Sequence, residues 1–305
     1  MSFPHENETT GNSYASLVLG TAQFGSAYGV ANRLGEPDAG RVRDVLDFAY
    51  ENGIRVLDTA AAYGKSEAVL GACGMDGWSV ITKIPSLHDV ANTDVGTIAR
   101  EHVLRSLDRL GVASLHAVLA HDRRDMAGYR GLQLCEALAD LRSSGCIGGT
   151  GVSVYAPQDM EGIDLENIQV VQAPFNVLDQ RFIASGEGNK LRANGAELHV
   201  RSVFLQGLLL MEPEDRPAQF EAWQTDLARF DKAVLGSGLT RAAFCLGFAA
   251  RQADITHCVV GVENAEQLSQ LMEAYNLGQV SRYDASGLRV DDLNLVDPRN
   301  WAAQK

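Results

Sequence analysis

An aspartate and a tyrosine stand five positions apart in Asp58-Thr-Ala-Ala-Ala-Tyr63-Gly-Lys-Ser-Glu67, directly after the apolar run 54–57. Lys83 ends Val80-Ile-Thr-Lys83, and His121 ends Ala117-Val-Leu-Ala-His121. Each group follows a short apolar run and so reads as the exit of a strand. Together the four have a specific chemistry. A free tyrosine holds its proton up to a pH of about 10. A neighbouring ammonium favours the phenolate, and a carboxylate keeps that ammonium charged and in place. An imidazole can hydrogen-bond a carbonyl oxygen and orient it. The set suits protonation of an alkoxide as a hydride arrives at carbon. None of the four can supply a hydride, so the chemistry requires a nicotinamide cofactor.

Taken singly, each residue has an ordinary explanation. Asp58 reads as a loop or cap carboxylate, Tyr63 as a packing residue with a wet hydroxyl, and Lys83 as a snorkelling lysine. His121 is set apart by Asp122, a carboxylate that could orient it. Their recurrence at successive strand exits is what favours a joint role.

The elements that would position them repeat along the chain. Apolar runs at 16–21, 55–59, 79–84, 115–120, 148–153, 168–173, 198–204 and 257–262 predict strands. Amphipathic segments at 38–52, 95–110, 131–144 and 241–252 carry helical periodicity, with shorter ones at 187–194 and 265–274. Gly53, Gly111, Gly145 and Gly195 follow the periodic runs as C-terminal stops. Eight strand–helix repeats predict one α/β domain, a closed (β/α)8 TIM barrel over 15–278, with an N-terminal tail 1–14 and a C-terminal tail 279–305. A doubly wound sheet is the rival, but no Gly-x-Gly-x-x-Gly follows the first strand, and Gly148-Gly-Thr-Gly151 lies within a strand. A barrel gathers the strand exits on one face, which makes Asp58, Tyr63, Lys83 and His121 neighbours. The segment 208–237 is a long seventh loop with a possible helix at 218–235, suited to a lid or site wall.

The four residues and Asp58-Thr-Ala-x-x-Tyr63-Gly-x-Ser-Glu67 resemble the catalytic tetrad of the aldo-keto reductases, bacterial type, and the resemblance runs from about Leu17 to Tyr275. It implies an NAD(P)(H)-dependent oxidoreductase that reduces an aldehyde, ketone or sugar carbonyl, or runs the reverse oxidation. Tyr63 would donate the proton, His121 orient the carbonyl, and Lys83 with Asp58 tune Tyr63. Glu67 is expected to be structural. The cofactor positions carried over are Gly20, Thr21 and Ala22 after the first strand, and Ser153 and Gln172 on the nicotinamide carboxamide. Val154 stands where the family usually has an asparagine. Arg201 takes the place of a tyrosine that stacks on the nicotinamide. Ser202 and Gln206 follow it toward the diphosphate, and Gly261, Asn264 and Gln267 mark the 2′-phosphate end. That end offers Glu263 and no cation. NADPH is the family expectation, with NADH open. Phe24 and Tyr28 are the expected substrate-pocket walls, and Trp223 is a further candidate. Trp78 precedes the third strand and belongs to the opposite face.

Composition narrows the alternatives. A net charge of −13 with pI near 4.9 and no Lys/Arg run argues against a nucleic-acid partner. Arg123-Arg124 sits between aspartates and reads as a solvated loop. Five cysteines with no Cys-x-x-Cys spacing predict neither a disulfide framework nor a zinc site. No signal segment or membrane-spanning run is evident, so a cytoplasmic protein with a small-molecule substrate is expected. Nothing in the pattern sets an oligomeric state. A non-catalytic barrel that binds the dinucleotide and regulates a partner would share the motif. A barrel hydrolase would leave Tyr63 and Lys83 unexplained.

Overall fold

Eight short strands form where the apolar runs place them: β1 (Ser16–Gly20), β2 (Val56–Asp58), β3 (Ser79–Ile84), β4 (Leu115–Ala120), β5 (Ile147–Ser153), β6 (Val170–Pro174), β7 (Glu197–Arg201) and β8 (His257–Gly261). The computed structural model describes residues 14–26, 35 and 37–304. All strands pair in parallel and in sequence order, and β8 returns to β1 from Ser16↔His257 to Gly20↔Gly261, which closes the barrel. The seventh strand was expected to run to 204. It stops at Arg201 because Ser202 takes a left-handed backbone with φ 60, which a ladder cannot absorb.

Helices return the chain between strands: α1 (Ala39–Glu51), α2 (Ser66–Cys73), α3 (Val95–Leu110), α4 (Gly128–Ser143), α5 (Arg181–Ala184), α6 (Glu187–Ala193), α7 (Gln224–Ser237), α8 (Arg241–Ala250), α9 (Ala265–Val280) and α10 (Leu293–Val296). The Asp38 carboxylate starts α1 by accepting the Arg41 backbone N–H. Its inward face is Val42, Val45, Leu46 and Ala49, the predicted spacing, all buried against the strands. Each fully buried valine or leucine of this kind contributes about 1.5–3 kcal/mol. Helix α2 is too short for its period to show in sequence. The N-terminal tail lies outside the described residues apart from Tyr14. The C-terminal tail is more ordered than its weak periodicity suggests. Helix α9 continues six residues past the expected 274, and Leu295, Val296 and Trp301 are buried. Among the described residues no single helix is long and apolar enough to cross a membrane.

The barrel has an apolar layer across its interior, formed by Ile81, Ala117, Leu119 and Val170 with Val56 packed against it. Strand side chains alternate between faces, so the next inward position toward the C-terminal mouth is two residues on. Those positions are Asp58 after Val56, Lys83 after Ile81, His121 after Leu119, and Gln172 after Val170. One register rule therefore sets four polar groups above a dry floor.

Candidate active site

Lys83 is the centre of this constellation. Its ammonium is 0% exposed and donates to both Asp58 carboxylate oxygens, at 2.8 and 2.7 Å. It also donates to the Thr59 carbonyl at 2.9 Å and to the Tyr63 hydroxyl oxygen at 3.4 Å. Burial alone would lower the pKa of this ammonium. The charges of Asp58 and then Tyr63 outweigh it, and the net direction is upward. The lysine is therefore a fixed cation against the phenol. His121 meets the Tyr63 ring edge-on, with ring centroids 5.9 Å apart. Burial, helped by the charges of Lys83 and Arg201, pushes the imidazole pKa down to about 4. At neutral pH His121 is an uncharged donor or acceptor. Asp122 does not orient it. That carboxylate bonds Arg124 at 2.9 and 3.0 Å and Ser86 at 3.0 Å, which holds it near a pKa of about 2.

The rest of the motif explains why Tyr63 stands where it does. The first and second exit loops touch at Gly25 and Gly64. A Cβ on Gly25 would lie 1.9 Å from the Tyr63 carbonyl oxygen, and one on Gly64 would lie 2.3 Å from the Gly25 oxygen. Gly64 also has φ +56, which favours glycine. Ser66 donates to the Thr21 carbonyl at 3.0 Å and lies 3.1 Å from the Thr59 hydroxyl, pinning the two loops together. Glu67 is buried; it accepts from Thr82 at 2.6 Å and from Arg109 at 2.7 Å, a structural role as expected. The signal for these ties was the motif itself, but their partners are far away in sequence.

A cleft of about 420 Å³ opens beside Asp58 and Tyr63. Gly20, Thr21 and Ala22 line one wall, Arg201, Ser202 and Gln206 a second, and Gly261 and Gln267 a third. All eight were carried over as cofactor positions. The β7 exit is strained: Ser202, Leu205 and Gln206 all have positive φ, at 60, 47 and 54. Such non-glycine conformations cost on the order of 1–3 kcal/mol each and concentrate at ligand sites. Gln172 donates its amide N–H to Asp58 at 2.7 Å, while its Oε1 is buried with no hydrogen-bond partner. Gln172 is 1% exposed and does not line the cleft, but an orphaned acceptor there would suit an N–H donor such as a carboxamide's. Ser153 pairs in register with Gln172 and is buried beside it.

Other expectations need correction. Phe24 is 0% exposed and belongs to the core, because its short helical turn rotates the ring away from the cleft. Tyr28 lies outside the described residues. The Asn264 carboxamide is taken up in capping α9, accepting from the Gln267 N–H at 2.8 Å, and the residue does not line the cleft. The Arg201 guanidinium already stacks on a protein ring, 4.2 Å from the centroid of Tyr155, and donates to the Val154 carbonyl at 3.0 Å. Arg299 from the C-terminal segment covers the same ring at 3.7 Å. Trp223 bonds Asp292 at 2.8 Å rather than lining the cleft. Trp78 packs edge-on to Tyr50, away from the cleft, as expected. Sequence reasoning missed Gln23, Phe204 and Leu210 on the cleft walls, and left Glu263 uncommitted. Glu263 is 8% exposed, and its backbone N–H donates to the Gln267 Oε1 at 2.8 Å.

Comparison with known proteins bears on the family and the fold. The family model described as Aldo/keto reductase family matches residues 16–290. A stretch of 151 residues is 27% identical to D-arabinose 1-dehydrogenase of Saccharomyces cerevisiae, covering 47% of this chain and 44% of that protein, less than half of its length. Among solved structures, aldo-keto reductase AKR11C1 from Bacillus halodurans in its holo form has a TM-score of 0.68 at 17% identity, over 88% of this chain and 93% of that one. A Pseudomonas aeruginosa protein described as an aldo-keto reductase has a TM-score of 0.65 at 22% identity, over 87% of this chain and 91% of that one. At these identities the two structures speak for the fold.

Proposed function

The chain belongs to the aldo/keto reductase family, and from that premise we propose that it interconverts a small aldehyde, ketone or open-chain sugar with its alcohol, using NADPH or NADH. The observation that carries the reading is the buried ammonium of Lys83, shared between the Asp58 carboxylate and the Tyr63 hydroxyl at the edge of a cleft. When bound, the reduced nicotinamide supplies the hydride that the chain's own side chains cannot.

The protein groups supply the rest. His121, neutral and edge-on to Tyr63, hydrogen-bonds the carbonyl oxygen and turns it toward the phenol. Tyr63 would give a proton to that oxygen as it gains negative charge. Lys83 stabilises the negative charge left on the Tyr63 oxygen, and Asp58 keeps the lysine charged. In the reverse direction Tyr63 takes the proton back. Gln172 is suited to hold the carboxamide through its orphaned oxygen. Ser202 and Gln206, both with left-handed backbones, line the cleft where the diphosphate is expected.

Cofactor choice follows from charge. The cleft-lining residues at the β8 exit and α9 include Glu263, Gln267 and Gln270, with no lysine or arginine among them. A 2′-phosphate finds no cation there, so the preference for NADPH over NADH should be modest or absent. The yeast relative is a D-arabinose 1-dehydrogenase, which makes aldoses a natural part of a substrate panel. The test is titration of the purified protein with NADPH and NADH, then turnover on aldehydes, ketones and aldoses. Reduction or oxidation of at least one class supports the proposal. Tight cofactor binding with no turnover across the panel would favour the non-catalytic, regulatory barrel.

A further inference from the structure

The opposite mouth of the barrel holds a second cluster of chemically capable side chains. Glu197 and His199 are two residues apart on β7 and therefore share its inward face. His257 opens β8 and pairs in register with His199 on one side and with Ser16 of β1 on the other. The Glu197 Oε2 lies 2.8 Å from His199 Nε2 and 3.8 Å from His257 Nε2. One ligand atom from each of the three residues falls within 4.8 Å of the other two. The His199 and His257 rings meet edge-on at 4.5 Å. None of these residues belongs to the catalytic constellation; His199 comes nearest to it, in register with Gln172 of β6.

We infer that Glu197, His199 and His257 form a binding site for one divalent transition-metal ion, of which Zn²⁺ is the probe of choice. Two imidazoles and one carboxylate are a donor set that suits such ions, and zinc binds it with a water at the fourth position. Bonds of about 2.0–2.1 Å in a tetrahedral site set donor atoms roughly 3.3 Å apart. The measured 2.8 and 3.8 Å bracket that value, so closure needs side-chain shifts and no strand movement. Ser16 Oγ lies 2.8 Å from His257 Nδ1. Accepting a hydrogen bond from Nδ1–H, it would turn the Nε2 lone pair toward Glu197, the outer support that metal-binding histidines commonly have. His199 is 0% exposed, and its Nδ1 is buried with no hydrogen-bond partner. An ion would take its Nε2, the atom that already faces Glu197. The Glu197 side chain is 18% exposed, which gives an ion a way in.

The position suggests a structural purpose. The β7–β8 ladder registers only two residue pairs, His199↔His257 and Val200↔Cys258. An ion held by both strands would staple this short seam, with β1 attached through Ser16. The cysteine spacing gave no hint of this, because the ligands are histidines 58 positions apart.

The test uses the full chain, stripped with a chelator and dialysed. Calorimetry with Zn²⁺ should give one ion per chain and a raised melting temperature. Glu197→Gln keeps the shape of a partly exposed side chain and should weaken binding at least about tenfold. Cofactor binding by the variant reports that it is folded. Co²⁺ added to the wild type needs no variant. It should give visible bands of a four-coordinate site without a thiolate charge-transfer band. Absence of stoichiometric Zn²⁺ binding, equal affinity in Glu197→Gln, or a thiolate band would each overturn the assignment.

Discussion

The two mouths of this barrel are built by the same rule and put it to different use. At the C-terminal mouth, inward positions two residues beyond the apolar layer carry Asp58, Lys83, His121 and Gln172. From the N-terminal mouth up to the level in register with Gln172, inward positions of β7 and β8 carry Glu197, His199 and His257. The upper set buries a full ion pair, tolerable only because the charges are paired at 2.7 Å and hydrogen-bonded to further groups. The lower set keeps its most deeply buried member uncharged: burial pushes the His199 pKa down to about 3. One mouth holds separated charge against a phenol. The other holds the neutral His199 imidazole beside a carboxylate. The difference teaches that a strand register supplies position, while charge pairing decides what the position can do.

The largest expected effect breaks the upper mouth. Lys83→Met leaves Asp58 buried without its cation and should destabilise the fold by about 3–5 kcal/mol, with activity lost. Glu197→Gln, assayed in chelator, loses only partly exposed hydrogen bonds and should cost about 1 kcal/mol. Urea unfolding of both variants checks the contrast, and equal costs would erase it.

A second test uses acid. The folded pKa of His121 is depressed to about 4 from an ordinary value of 6.5, so the unfolded chain binds the extra proton first. Its contribution to stability is complete above about pH 6.5 and is lost as pH falls toward 4. In His121→Gln, the loss of stability between pH 7 and 5 should be smaller by about 2 kcal/mol. Denaturant melts at the two pH values measure this, and identical pH dependence in the variant would refute the burial argument. The same window extends to about pH 3 for His199.

The smallest effect lies within the cleft. Gln267→Arg adds a cation at the α9 end and should tighten NADPH binding by about 1.5 kcal/mol, roughly tenfold, with NADH little changed. Dissociation constants for both cofactors decide it. A wild-type preference for NADPH above about a thousandfold would mean that a cation from elsewhere reaches the phosphate.

Much of this molecule was legible in the sequence, for identifiable reasons. The strand runs at 79–84 and 115–120 match β3 and β4 because buried parallel strands need mostly apolar residues. The meeting of Asp58, Lys83 and Tyr63 followed from barrel topology alone. Side-chain direction in loops was not legible. Phe24 turned into the core, and Arg201 found the Tyr155 ring that Arg299 also covers, because short-range packing after a strand exit depends on partners distant in the chain. The hydrogen bond from Gln172 to Asp58 joins residues 114 positions apart, with no local pattern to announce it. The lower cluster was hidden in the same way.

The central claim is that Tyr63, held by Lys83, is the proton donor in nicotinamide-dependent carbonyl reduction. Tyr63→Phe removes one oxygen from a residue at the cleft edge and leaves the Lys83–Asp58 pair intact. Single-turnover reduction of the best carbonyl substrate, with the cofactor dissociation constant measured on the same sample, tests the claim directly. The account predicts turnover reduced by at least about a hundredfold with cofactor affinity unchanged; near-normal reduction by Tyr63→Phe would contradict it.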